Sequence, residues 1–201
     1  MKKSSNSIIK EKTTNDIYDG IAELVIDDNP ELLTITNIAK RSGYSVGNIY
    51  YHFKNIDNVI DEFVIQRHKK RIDVLIKVIK ETPTSMSAKE FIQHLNDLNF
   101  NFMTKLIPRA ITLKLASTVM TKSDVLKRID ENIKLLVDPI EAMIKRNETN
   151  TFKKLTHKEI EMAILGYASA LRKPVTENHK LAFTRSHQQQ SLAISMALFA
   201  K

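Results

Sequence analysis

Residues 34–53 read TITNIAKRSGYSVGNIYYHF, and the reading of this stretch decides the fold. Thr34 stands where a helix begins, because its hydroxyl can accept one of the four backbone N–H groups that a helix start leaves free. Ile35, Ile38 and Ala39 then form one apolar stripe at helical spacing, and Lys40 and Arg41 complement the negative end of the helix dipole. Gly43 can take the left-handed conformation that closes such a helix. Ser45 offers a second N-cap, followed by about two turns from Val46 to His52. The pattern is two short helices joined by a tight turn.

At about 100° per residue, Val46, Ile49 and Phe53 fall within about 60° of one another and are expected to face a core. Gly47, Asn48 and Tyr51 then lie on the opposite side, with Tyr50 and His52 on the flanks. From Leu32 through Ile56 there is no acidic residue, whereas Lys40, Arg41 and Lys54 are basic. A short exposed helix with hydrogen-bonding tips, in a window free of carboxylates, suits the major groove of DNA. On pattern alone, an ordinary helical hairpin with a solvated polar face stays open.

The run IAKRSGYSVGNIYYHFKN, Ile38 to Asn55, resembles the helix-turn-helix signature of the TetR (tetracycline-repressor) family of bacterial transcription regulators. The matching parts are Thr34 four residues before Ile38-Ala39, then Gly43-Tyr44-Ser45, then Gly47-Asn48-Ile49-Tyr50-Tyr51-His52-Phe53. The resemblance implies a sequence-specific regulator, a repressor that binds a palindromic operator as a dimer and is released by a small-molecule inducer. It implies a DNA-contacting set of Thr34, Ser45, Val46, Gly47, Asn48, Tyr50, Tyr51, His52 and Lys54. Within it, Asn48 is expected to read a base edge or adjacent phosphate, and Tyr51 and His52 to meet backbone or a thymine methyl. Tyr50 is expected to bond phosphate, Lys54 and Thr34 to anchor the flanks, and Ser45 to cap the reading helix. The chain departs from the signature at Ile56, where the family usually has a phosphate-binding Lys; Lys54 is the candidate to replace it.

Around this unit the bulk composition is that of a globular chain. Hydrophobic residues make up 42% and charged residues 27% of 201, enough for a substantial core. Four Gly and five Pro leave little material for hairpins, and β-branched alternation is not sustained, so an all-α fold is expected. The absence of Cys excludes disulfides and thiolate metal sites. The N-terminus MKKSSNSIIKEK has no apolar signal region, and the uncharged run 186–200 is short of a span, so a cytoplasmic protein without membrane contact is expected. The net charge of +8 decides little. Residues 1–81 carry 13 basic against 12 acidic groups, so most of the excess lies in residues 82–201, with 18 against 11.

Taken in order, residues 1–7 read as an unordered basic arm. A first helix follows, with Ile17, Ile21, Leu24 and Val25 on one face and Asp16, Asp19, Glu23 and Asp27 on the other. The expected domains are a helix-turn-helix unit over 1–55, a connector helix over 56–81 and a helical ligand-binding and dimerisation domain over 82–201. The connector has a charged middle, Gln66 to Arg71, which suits a solvent-bridging rod. The resemblance makes it a lever whose tilt sets the separation of two reading heads. Thr82-Pro83-Thr84-Ser85 is the best boundary signal.

Beyond it, capping boxes at Ser87/Glu90 and Thr156/Glu159 open two helices. The first is expected to reach about Leu106. A short helix is expected over Ala110–Met120, a longer one over Val125–Ile144 with a kink at Pro139, a turn over Pro174–Asn178, and a last helix to the C-terminus. The last two helices are the expected dimer seam, through Ile160, Ala163, Ile164, Tyr167, Leu171, Leu192, Met196 and Phe199, because their small residues permit close approach. Phe91, Leu95, Leu98, Phe102, Leu106, Met120 and Met143 are candidate walls of a small-molecule site, with His94, Asn99 or Tyr167 as polar fixtures. Ordinary core packing is the stronger reading of any one of these residues, and the inducer is implied by the resemblance.

No cofactor or metal is expected. The six His show no HExxH spacing and the chain has no GxSxG, so catalysis is not expected. A DNA-bound protein-interaction or nucleoid-organising role, without an inducer, remains the alternative.

Overall fold

The structure is a computed structural model, and it describes residues 5–26, 30–105, 115, 118–177 and 180–201. Three helices form an N-terminal head: α1 (Ser5–Ile26), α2 (Ile35–Ser42) and α3 (Val46–His52). α4 (Ile56–Glu81) leads out of it. The body contains α5 (Ala88–Lys105), α6 (Ser123–Lys134), α7 (Val137–Arg146), α8 (His157–Glu177) and α9 (Arg185–Phe199). The described residues contain no strand, only a single antiparallel bridge between Phe152 and Ala200.

The head is built as its local signals require. Ile17, Ile21, Leu24 and Val25 of α1 are buried with Ile38, Ala39, Ile49 and Phe53. The Tyr18 ring lies between those of Phe53 and Phe63, at 6.0 and 6.2 Å. This places the start of α4 inside the same core. Gly20 lets α1 approach α2 so closely that a Cβ there would stand 2.9 Å from the Ser42 amide nitrogen. The Tyr44 hydroxyl donates to Asp16 at 2.8 Å, and Arg41 pairs with Glu23 at 3.5 Å. The acidic face of α1 therefore fastens the turn between α2 and α3.

In the body, the Ser87/Glu90 box is closed in both directions, the Ser87 amide donating to Glu90 at 2.9 Å and the Glu90 amide to Ser87 Oγ at 3.3 Å. The Thr156/Glu159 box repeats it. Asp61 and Glu62 of α4 receive Lys122 and Arg128 of the α6 region, the first pair at 2.8 Å. Arg146 at the end of α7 donates to the Ile79 and Lys80 carbonyls, capping α4, and the Asn147 amide holds Thr84 and Met86.

Several expectations change. Ser5–Ser7 open α1 instead of belonging to an unordered arm, while residues 1–4, Asp27, Leu106 and most of 110–117 lie outside the described residues. The helix expected over 125–144 is two helices. The chain breaks at Leu135–Leu136, where the bonds tighten to i→i−3, and Pro139 sits harmlessly in the first turn of α7, where its missing N–H has no intrahelical partner. Conversely, Pro174 does not end α8, which continues to Glu177. The middle of α4 is not a solvent-bridging rod either, because His68 is buried and Arg71 turns into the body.

α7 and α8 are joined by His157, whose Nδ1 lies 2.7 Å from Glu141 and 3.7 Å from Asp138. The hydrogen bond to Glu141 holds the imidazole above its ordinary 6.5. The stabilisation is complete below that unfolded-state value and is lost as pH rises through the higher folded one. His157→Gln is therefore expected to lower the melting temperature near pH ~6 and to have little effect near ~9, read as paired melting curves. Among the described residues Asp138, Glu141 and His157 are the one group with the convergence of a metal site, but Lys145 already pairs with Glu141. Exposed and internally neutralised, the group is an ion-pair network.

Candidate nucleic-acid interface and internal cavity

Both helices of the helix-turn-helix are capped at their starts by side-chain hydroxyls. The Asn37 amide donates to Thr34 Oγ1 at 3.2 Å and the Asn48 amide to Ser45 Oγ at 3.1 Å, while Gly43 closes α2 at φ 75°. These caps orient a seven-residue helix too short to be stable by itself. Ile49 and Phe53 face the core as expected. Val46 does not: it is 38% exposed, because the first residue of so short a helix lies beyond the neighbours that cover Ile49.

Tyr51 is 83% exposed and Tyr50 52%. The Tyr51 ring makes an edge contact with His52 at 5.2 Å. Thr34, Ser45, Gly47 and Lys54 are exposed, and Asn48 and His52 are half-buried. Asn48 Oδ1 and His52 Nδ1 have no solvent access and no hydrogen-bond partner among the described residues. Desolvation, then the nearby Lys10, lowers the His52 pKa, favouring the neutral ring. Ile56 is half-buried against the core, so it offers no charge where the family pattern has one.

The body holds two adjoining cavities of about 130 and 320 Å3. Of the expected wall residues, Phe91, Leu95, Asn99 and Tyr167 line the inner one, and Phe102, Met120 and Asn99 the outer one. Met143 is buried in the core, Leu98 packs against that core, and neither lines these two cavities. His94 is exposed on the outer face of α5.

At the polar end of the inner cavity, Ser191 donates to Asn96 at 2.8 Å and lies 2.7 Å from the Tyr167 hydroxyl. Burial raises the Tyr167 pKa, so it remains a phenol that can donate. Arg71 and His68, absent from the expected set, line the outer cavity, and Arg71 lines both. Among the described residues neither Arg71 Nε nor His68 Nδ1 has a hydrogen-bond partner. Burial pulls Arg71 down to about 10 and, with the Arg71 and Arg172 charges, His68 down to about 2. At neutral pH the first is a cation and the second is not.

The seam residues expected on α8 and α9 point mostly inward. Ile160 and Ile164 are 0% and 5% exposed in the chain's own core, and Tyr167, Leu171 and Phe199 line the inner cavity. Leu192 and Met196 pack against that core, and Ala163 is half-buried. The cause is helical periodicity: the large-residue stripe faces the body, and the outward one consists of Met162, Gly166 and Ser169 with Ala193, Ile194 and Ala197.

The described residues thus form a capped helix-turn-helix head on a helical body that holds a cavity. Residues 17–63 match the model of bacterial regulatory proteins of the tetR family. It is 27% identical over 105 residues to YwcC of Bacillus subtilis (strain 168), an uncharacterized HTH-type transcriptional regulator. That match covers 51% of this chain and 47% of YwcC, so the chain spans about half the length of this relative.

Among solved structures it is similar to the TetR family repressor AlkX of Dietzia sp. strain DQ12-45-1b, with TM-score 0.64, 13% identity and 92% of each chain covered. It is also similar to the transcriptional regulator FadR of Bacillus subtilis in complex with stearoyl-CoA, with TM-score 0.58, 16% identity, and 91% and 96% covered. A TetR-family regulator of Mesorhizobium loti MAFF303099 gives TM-score 0.59 at 14% identity, with 99% and 100% covered. At these identities the likeness concerns the fold. Among the described residues no helix is long and apolar enough to cross a membrane.

Proposed function

We propose that the protein is a transcriptional repressor that binds a palindromic operator as a homodimer and leaves it when a small molecule fills the body cavity. The observation that carries this reading is the reading helix itself, N-capped by Ser45, set behind the Thr34-capped α2 and presenting Gly47, Tyr50 and Tyr51 to solvent. Residues 1–55 act as the head, 56–81 as the connector and 82–201 as the body. A single two-turn helix makes too few base contacts for specificity, and two heads on a two-fold axis read half-sites ~34–36 Å apart or a multiple of that. The pairing face we assign is the outward stripe of α8 and α9, with Met162 66% and Ile194 37% exposed. An inducer is supported by the cavity and by the stearoyl-CoA held in the similar FadR fold.

The test is a binding selection on random duplex DNA followed by two variants. Lys54→Ala, at an exposed flank, is expected to weaken all sequences alike and reduce the salt slope by ~1. Asn48→Ala is expected to relax specificity at one base pair by about 1–3 kcal/mol. Uniform losses in both remove Asn48 as a reader. Many scattered sites without a palindrome replace the repressor reading with an architectural one.

A further inference from the structure

We propose that the cavity takes an amphipathic anion, an alkyl chain ending in a carboxylate, and that Arg71 receives the charged head. The proposal rests on the reading of the cavity as a ligand site and names the chemistry it selects. The two cavities share Arg71, Asn99, Ile133, Ala168 and Leu171, so they adjoin along one wall, with Arg71 at the junction. Inward of it, Ile72, Leu75, Ile79, Phe91, Ile140 and Phe152 offer only hydrocarbon. The polar groups at the far end are already engaged, because Asn96, Tyr167 and Ser191 bond one another and Ser195 donates to the Ser191 carbonyl. A polar ligand head has little to gain there.

The charge pattern is one-sided. Neither cavity has an Asp or Glu among its lining residues, while the outer one has Arg67, Lys70, Arg71 and Arg172. Arg172 is neutralised by Asp130 at 2.6 Å, Arg67 lies over the Phe63 ring, and Lys70 is exposed to water at the rim. Arg71 therefore remains as the desolvated cation, with no carboxylate in ion-pair range among the described residues and with Nε unpartnered. A guanidinium withdrawn from water without a counter-charge is costly, and a carboxylate matches its planar fork with two parallel hydrogen bonds. His68, one helical turn earlier, lines the same outer section and has a free Nδ1 to hydrogen-bond the head. The chain of such a ligand suits the apolar inner cavity, whose hydrocarbon walls gain contact without losing a hydrogen bond.

The experiment uses the full chain without DNA, titrated calorimetrically with decanoate, with decanol as the neutral chain of the same length, and with decanoyl-CoA, whose charges lie far from the acyl end. Decanoate is expected to bind wild type at least about tenfold more tightly than decanol. Arg71→Met is expected to weaken decanoate about 10- to 100-fold and leave decanol unchanged. The same variant, freed of a buried unpaired charge, is expected to melt no lower than wild type in the absence of ligand. Arg71→Lys, which keeps the charge but not the fork, is expected to fall between.

Equal binding of decanol and decanoate, a preference that survives Arg71→Met, or binding of neither compound overturns the proposal. Decanoyl-CoA binding tighter than decanoate, with no dependence on Arg71, also overturns it and assigns the site to a thioester. Operator release is measured separately. A chain that binds decanoate through Arg71 yet stays on its operator fails the repressor reading and keeps this one.

Discussion

Gly20→Val is expected to destabilise the head by about 3 kcal/mol and to abolish DNA binding near physiological temperature. A Cβ at this position would stand 2.9 Å from the backbone nitrogen of Ser42 and 3.2 Å from its Cα and Cβ. The obstacle is therefore main chain, which cannot rotate aside. α2 must then shift away from α1, taking with it the Ser42 hydroxyl, bonded to the Ile38 carbonyl, and the Gly43 turn that aims α3. Helix propensity works in the opposite direction, since Val is preferred to Gly within a helix. Gly166→Ala supplies the control, because nothing lies within 4 Å of a Cβ there; it is expected to gain about 1 kcal/mol in the monomer. Denaturant midpoints of the two variants should move in opposite directions. A neutral Gly20→Val would mean that α1 and α2 do not approach as described.

Acid should loosen the body through His68. The ring is 8% exposed, and burial, with Arg71 and Arg172 nearby, lowers its pKa to about 2. In the unfolded chain the value returns to about 6.5. Below that point the unfolded chain takes up a proton that the folded one refuses, so the stabilisation present above pH ~6.5 declines as pH falls, by about 1.4 kcal/mol per unit. At pH ~4.5 the loss reaches about 3 kcal/mol from this residue alone. His68→Phe removes the titration, and its unfolding free energy, followed by urea at pH ~7.5 and ~4.5, should change less than that of wild type by that amount. Identical pH dependence in the two proteins would show that water reaches the imidazole.

The head was legible in the sequence because its signals are local. Thr34, Gly43 and Ser45 act within three or four residues of themselves, and both capping boxes of the body are of the same kind. What escaped depends on partners far along the chain. The charged segment Gln66–Arg71 looks solvated until α5 and α8 cover His68 and Arg71, and no periodicity distinguishes a cation that faces water from one that faces a cavity. Ile160 and Ile164 form an apolar stripe that an inner core or an outer seam would use equally, and only the packed body assigns it inward. Pro139 and Pro174 show the limit of reading breakers by identity, since the effect of proline depends on its distance from the helix start. The direction of the Tyr51 side chain was correct from the helical angle alone, and that of Val46 was not.

The corner where Arg146 and Asn147 hold residues 79–86 changes what the Thr82–Ser85 segment is. Composition makes it resemble a flexible tether, yet Thr82 is 5% exposed, its hydroxyl bonds the Val78 carbonyl, and Glu148 donates its amide to Thr84. Amide protons here should exchange with solvent no sooner than those of the neighbouring helices, and a protease should find no foothold until both sides have melted. The two halves of the chain are welded at this point, and a fragment cut there would lose a wall from each.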